Sequence, residues 1–175
     1  MASSATDPAE VRVAGVGMTP FESDAEGSLT DLAATAAERA LADAAVDPAD
    51  VDALHIGNAL AEALDEGAGL ANALAAALGL DGASADRIEN TSATGASAFH
   101  RGVDGLAAGA ANGADTDVAL VVGAEKMSAG DTRNVTEAIS RLVHRREYAQ
   151  GITLPSFGGL AAGAYLDRHD ASRDS

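Results

Sequence analysis

The sequence predicts an α/β fold of βαβαβαβ order, and three observations predict it. Three short apolar runs rich in Val, Ile and Leu, and a fourth, shorter strand-like run, recur along the first 123 residues. Stretches with apolar residues on one helical face alternate with those runs. The last run, Val118-Ala119-Leu120-Val121-Val122-Gly123, has no polar alternation, as expected of a strand buried on both faces of a parallel sheet. Composition alone points elsewhere. Of 175 residues only 34 are Leu, Ile, Val or Phe, and the net charge is −16, a combination typical of disordered chains. The periodicity decides against disorder, because many of the 43 alanines fill helical stripes.

Residues 1–10 read as a flexible tail, and Val11-Arg12-Val13-Ala14-Gly15-Val16-Gly17 as a short buried strand ending in glycine. Ser28 with Asp31 three residues on forms a capping-box start. Behind it Leu29, Leu32, Ala33, Ala36, Ala40 and Leu41 share one helical face, with Asp47-Pro48 beyond the stop. Ala53 to Gly57 reads as the second strand, and Leu70, Leu74, Ala77 and Leu78 mark a helix ending near Gly79. Arg87-Ile88-Glu89-Asn90 is a third, shorter strand. The helix after it carries Ala96, Phe99, Val103, Leu106, Ala107 and Ala110 at helical spacing.

The character changes after Gly123. Helical spacing is weak through Ile139, Leu142 and Val143, and Leu154-Pro155-Ser156-Phe157 opens a glycine–alanine helix reaching Tyr165 and Leu166. The expected organisation is therefore a tail at 1–10, a core at 11–128 and a further segment at 129–175.

Several function classes drop out. Zero cysteine excludes disulfides, a Cys-ligated metal site and a thiolate nucleophile. The acidic balance opposes nucleic-acid binding, which needs clustered Lys and Arg. No stretch approaches about 18 apolar residues, and MASSATDPAE has no basic-then-apolar leader, so no membrane association and a cytoplasmic location are expected. Asp outnumbers Glu 17 to 10 and Lys126 is the single lysine, a balance expected of a halophilic protein. Dense short carboxylates keep such a chain hydrated in strong salt.

Two segments bear on chemistry. Gly15-Val16-Gly17 has two glycines of a dinucleotide fingerprint, but Pro20 stands where the third belongs and no helix follows until Ser28, so a structural turn is the better reading. Glu89-Asn90-Thr91-Ser92-Ala93-Thr94-Gly95-Ala96 turns a strand directly into a helix, with small residues on both sides of a hydroxyl. A side chain there sits at a helix N-terminus, which favours a developing anion. The alternative is that Thr91, Ser92 or Thr94 simply caps the helix. An α/β-hydrolase would also place a serine on such an elbow, but the GxSxG glycines are absent.

Four blocks in order resemble the N-terminal half of a thiolase, in particular the archaeal and sterol-carrier-associated branch. They are Val13 to Phe21, Asp52 to Asn58, Arg87 to Phe99, and Val121 to Ser128. The resemblance implies a thiolase-like half-fold, with 129–175 as part of an inserted loop domain that contacts coenzyme A. It implies formation or cleavage of acetoacetyl-CoA or a 3-ketoacyl-CoA, with the CoA thioester as substrate and no separate cofactor or metal. It also implies a homo-oligomer, dimer or tetramer, and for the archaeal branch an OB-fold accessory partner. The position matching the family's nucleophilic cysteine is Ser92, a weaker nucleophile that needs a well-placed base. The family's catalytic histidines belong to the C-terminal half, and His55, His100, His144 and His169 do not match them. Arg141, His144, Arg145 and Arg146 form the only concentrated positive patch. The resemblance makes them CoA phosphate ligands, whereas their own context equally allows a solvated helix face paired with Glu137 and Glu147. A non-catalytic acyl-CoA-binding or assembly subunit of the same fold is the alternative.

Overall fold

The computed structural model describes residues 10–23, 25–64, 67–113 and 116–172. The chain forms two compact units, one ending at Ser128 and one beginning at Ala129. Residues 1–9 of the expected tail lie outside the described residues.

The first unit is built on a parallel sheet of β1 (Ala53–Gly57), β2 (Ser84–Ile88) and β3 (Ala119–Gly123), in the order β2-β1-β3. β1 is central and buried throughout. Its register aligns Gly57 with Ile88 and Gly123, so the three strands end level with one another. Side chains alternate across the sheet. Leu54, Ile56, Leu120 and Val122 join a core with helices α1 (Leu29–Ala44) and α2 (Leu70–Leu78). Val121 and His55 point the other way, against Gly102 of α3 (Thr94–Asn112). A Cβ at Gly102 would stand 2.8 Å from the Val121 Cγ2, so glycine is what lets α3 settle on the sheet.

The helices form where the pattern puts them. The Ser28 hydroxyl accepts from the Asp31 N–H at 3.1 Å, and the Asp31 carboxylate accepts from the Ser28 N–H at 2.8 Å, closing the expected capping box. Leu29, Ala33, Ala37 and Leu41 make the buried stripe of α1. Gly79 ends α2 in the left-handed region at φ 66°.

Two strands differ from expectation. The third strand runs over Ser84–Ile88, a few residues earlier than the expected Arg87–Asn90. As an edge strand it is half exposed, so its Ser-Ala-Asp start lacks the apolar signature, while Asn90 and Thr91 leave the ladder to build a turn. The expected buried strand Val11–Gly17 pairs with nothing among the described residues, and Val13 and Val16 are 66% and 70% exposed. It lies instead on α1: a Cβ at Gly15 would meet Ala40 and Ala44, and one at Gly17 would meet Ala36 and Ala40. Two residues of the segment thus pass four of the helix, about 6 Å, which requires an extended backbone.

The second unit contains α4 (Thr132–Ser140), α5 (Arg145–Tyr148) and α6 (Leu154–His169). Asp131 caps α4, and Thr153 with Ser156 forms a capping box on α6. Buried Ser140 fastens α4 to α6, its hydroxyl donating to the Thr136 carbonyl at 2.6 Å and accepting from the Leu154 N–H at 3.1 Å. No helix among the described residues is long and apolar enough to cross a membrane.

Candidate active site

The elbow between β2 and α3 is held by its own polar groups. Thr91 has φ 48°, a left-handed conformation that costs a β-branched residue energy. Its N–H donates to the Glu89 carboxylate at 2.6 Å. The buried Thr94 hydroxyl accepts from the Asn90 N–H at 2.8 Å and donates to the Thr91 carbonyl at 2.7 Å. Asn90 Nδ2 also donates to Ser97 at 2.9 Å. Between these fastenings Ser92 sits in a single 3-10 turn, Thr91–Ala93, and is solvent-exposed. Its hydroxyl makes no hydrogen bond to any described residue, and no side chain caps the α3 N-terminus. Thr94 was one of three residues expected as possible caps, and it secures the turn instead.

Behind the elbow, the ends of the strands are locked by a polar network that the sequence reading missed. Asn58 follows β1 and is fully buried. Its Nδ2 donates to the Ala124 carbonyl at 2.9 Å and to the Glu125 carboxylate at 3.0 Å, while its Oδ1 accepts from the Ala61 N–H at 3.0 Å and from Arg87 at 3.4 Å. The Glu125 carboxylate also accepts from the Ala59 and Leu60 N–H groups. Burial raises the Glu125 pKa, and these N–H donors hold it down in part. Arg87 reaches across to Glu62 at 3.0 Å. The network joins residues more than sixty positions apart, and its only local sign was a polar residue one position after β1 and two positions after β3. The C-terminal edge of a parallel sheet is where such folds place ligands.

None of the four histidines partners Ser92. His55 is buried in β1 with Nδ1 unpaired and 3.8 Å from Asp86; desolvation lowers its pKa, with Asp86 opposing. His100 is exposed on α3, His169 stacks near Tyr165, and His144 caps α5 by accepting from the Arg146 N–H at 3.3 Å. Within the second unit, Arg141 pairs with Glu137 at 3.2 Å, a contact that raises its pKa, and His144 lies 3.7 Å from Glu147. The Arg145 and Arg146 side chains are exposed and without hydrogen bonds or ion pairs among the described residues. A cleft of about 740 Å³ in this unit is lined by Arg133, Glu137 and Tyr148 rather than by the four expected residues.

Comparison with known proteins decides the family. The thiolase N-terminal domain family matches residues 11–175. The chain belongs to the thiolase family. Acetyl-CoA acetyltransferase of Methanothermobacter thermautotrophicus is 29% identical over 166 residues, covering 94% of this chain and 42% of the relative. The acetyl-CoA acetyltransferase of Methanocaldococcus jannaschii is 32% identical over 158 residues, covering 90% and 38%. This thiolase-family chain thus spans about two fifths of the length of the curated relatives it matches. Among solved structures, a tetronic acid condensing enzyme aligns at TM-score 0.48 and 27% identity, over 61% of this chain and 32% of that one. The 3-oxoacyl-[acyl-carrier-protein] synthase III of Aquifex aeolicus aligns at TM-score 0.47 and 24% identity, over 62% and 34%.

Proposed function

We propose that this chain carries the acyl-accepting residue of a thiolase-type acyltransferase acting on acetyl-CoA or 3-ketoacyl-CoA. Ser92 Oγ attacks the thioester carbonyl, the coenzyme A thiolate leaves, and an oxyester forms on Ser92. The supporting observation is an exposed, unpartnered hydroxyl on a strained strand-to-helix elbow, in a chain that matches the thiolase N-terminal domain. The helix N-terminus and its uncapped N–H groups favour the developing oxyanion. The base that takes the hydroxyl proton comes from polypeptide outside the matched stretch. Arg145 and Arg146, with Arg141 and His144, contact the phosphates of coenzyme A.

Incubating the protein with labelled acetyl-CoA tests this directly. The expected result is a base-labile acyl group on Ser92, lost in Ser92→Ala and formed faster in Ser92→Cys, since a thiol supplies far more nucleophilic anion. Replacing Arg145 and Arg146 together by alanine is expected to weaken acyl-CoA binding about tenfold. A second reading, a non-catalytic acyl-CoA-binding subunit, is favoured by the lack of any hydrogen bond between the Ser92 hydroxyl and a basic group among the described residues. Retained acyl-CoA binding with no adduct would establish that reading and remove the first.

The same reading places the protein in a salt-rich cytoplasm, as a homodimer or homotetramer with an OB-fold accessory partner. Its acidic composition supports the first of these, and sedimentation in strong KCl tests the second.

A further inference from the structure

Ser92 hangs on the short turn Thr91–Ala93, so its position is set by whatever holds the two ends of that turn. Both ends meet the same pair of residues, Gly57 at the end of β1 and Asn58 beyond it. On the β2 side, the Asn58 N–H donates to the carbonyl of Ile88, the last residue of that strand, at 3.2 Å. On the α3 side, the first turn of the helix lies directly on Gly57. A Cβ there would stand 3.2 Å from the Thr94 carbonyl oxygen and 3.2 Å from the Ala98 Cβ. Ala98 is fully buried, and Thr94 is the residue whose hydroxyl bonds Asn90 and Thr91. The elbow is thus pinned on both sides of Ser92 against one strand end.

That strand end is itself held by Asn58. Its buried amide donates to the Ala124 carbonyl and to Glu125, just beyond β3, and accepts from the Ala61 N–H and from Arg87 of β2. Only an amide offers two donors and an acceptor oxygen together in so short a side chain; a carboxylate, a hydroxyl or an aliphatic chain would leave a neighbour unpaired. The paired register of all three strands stops at Gly57, Ile88 and Gly123. Asn58 therefore acts on the segments that leave the sheet, and the elbow is one of them.

We propose that Asn58, acting through Gly57, is the positioning residue of the elbow: it sets where the N-terminus of α3 lies relative to residue 92, and so how well an anion on that side chain is stabilised. The field of a helix N-terminus falls away within its first turn, so a small displacement of Thr94 and Ala98 changes what residue 92 feels. Only the catalytic consequence of this proposal rests on reading Ser92 as the acyl acceptor.

The chain contains no cysteine, so Ser92→Cys places a unique thiol at the elbow. The pH dependence of its alkylation by iodoacetamide reports the anion's surroundings without any acyl-CoA. The thiol pKa should lie about one unit below the ordinary value of about 8.5. Adding Asn58→Ala should bring it back by about half a unit. Adding Gly57→Ala instead keeps the Asn58 side chain and introduces only the crowding Cβ, since Gly57 has no left-handed φ, and should move the value the same way by less. Where Asn58→Ala does not fold, Gly57→Ala carries the test. Leu78→Val is the control for stability alone: it trims a buried side chain at the end of α2 that leads into the start of β2, and should lower the melting temperature with the thiol pKa unchanged. An ordinary pKa in Ser92→Cys itself, a value that neither Asn58→Ala nor Gly57→Ala moves, or an equal shift in Leu78→Val would each overturn the proposal. Responsive thiol pKa values with no acyl group formed from acetyl-CoA on Ser92 would remove the acyl-acceptor reading and leave this one standing; an acyl group on Ser92 with unresponsive values would do the reverse.

Discussion

At the scale of single residues, the elbow is where sequence and structure agree and where they part. The block of small residues from Ser92 to Ala98 made the position of Ser92 legible, because crowding tolerance at a strand–helix junction is a local property. The role of Thr94 was not legible, since a hydroxyl three residues from a turn reads equally as a cap. Its isosteric replacement discriminates. Thr94→Val keeps the volume but removes both bonds that hold Asn90 and Thr91. It should cost about 1–3 kcal/mol in urea unfolding, as expected for a buried N–H left unpaired. Thr91→Gly should do the opposite or nothing, because glycine adopts φ 48° without penalty but brings more freedom to the unfolded chain.

His55 and Glu125 titrate in opposite senses. The His55 pKa is lowered by desolvation, so the unfolded chain takes up its proton first on acidification. Stability held above the ordinary histidine pKa of about 6.5 is therefore lost as pH falls below it. Glu125, raised by burial, binds its proton more readily in the folded state and contributes stability on the acid side that fades as pH rises. From pH 7.5 toward pH 5.5 the His55 contribution should lower the melting temperature while that of Glu125 opposes it, so His55→Gln should make the slope less downward than that of the native chain. A slope unchanged in the variant would assign it to other groups. The Glu125 role was hidden in sequence because its carboxylate serves backbone groups of residues 59 and 60, which only tertiary folding brings near.

At the scale of elements, helices were read well and strands less well, for a physical reason. A helix satisfies its own backbone, so Ser28, Asp31 and the Leu29–Leu41 stripe specify α1 without reference to anything distant. Ser28→Ala should lower stability by about 1 kcal/mol in a denaturant titration, the usual value of an N-cap. A strand needs a neighbour. Val11–Gly17 has the composition of one, but nothing pairs with it among the described residues, and it lies extended along α1. β2 has neighbours but a polar start, so composition placed it late.

At the scale of the whole molecule, charge outweighs any single contact. Twenty-seven acidic residues face eleven basic ones. The ion pairs formed by arginines among the described residues are Arg12–Glu10, Arg87–Glu62 and Arg141–Glu137, and only the second joins distant parts of the chain. Most carboxylates among the described residues therefore make no ion pair, and they repel one another, a cost that compactness increases. Screening length falls from about 10 Å at 0.1 M salt to about 3 Å at 1 M, shorter than most spacings between surface charges. The melting temperature should therefore climb steeply with KCl up to about 1 M and then flatten. Replacing several exposed aspartates of the first unit by asparagine should raise the low-salt value and shrink the climb. If salt stabilised through strengthened apolar burial instead, the climb would continue above 1 M, would be steeper in sulfate at equal ionic strength, and would survive those substitutions.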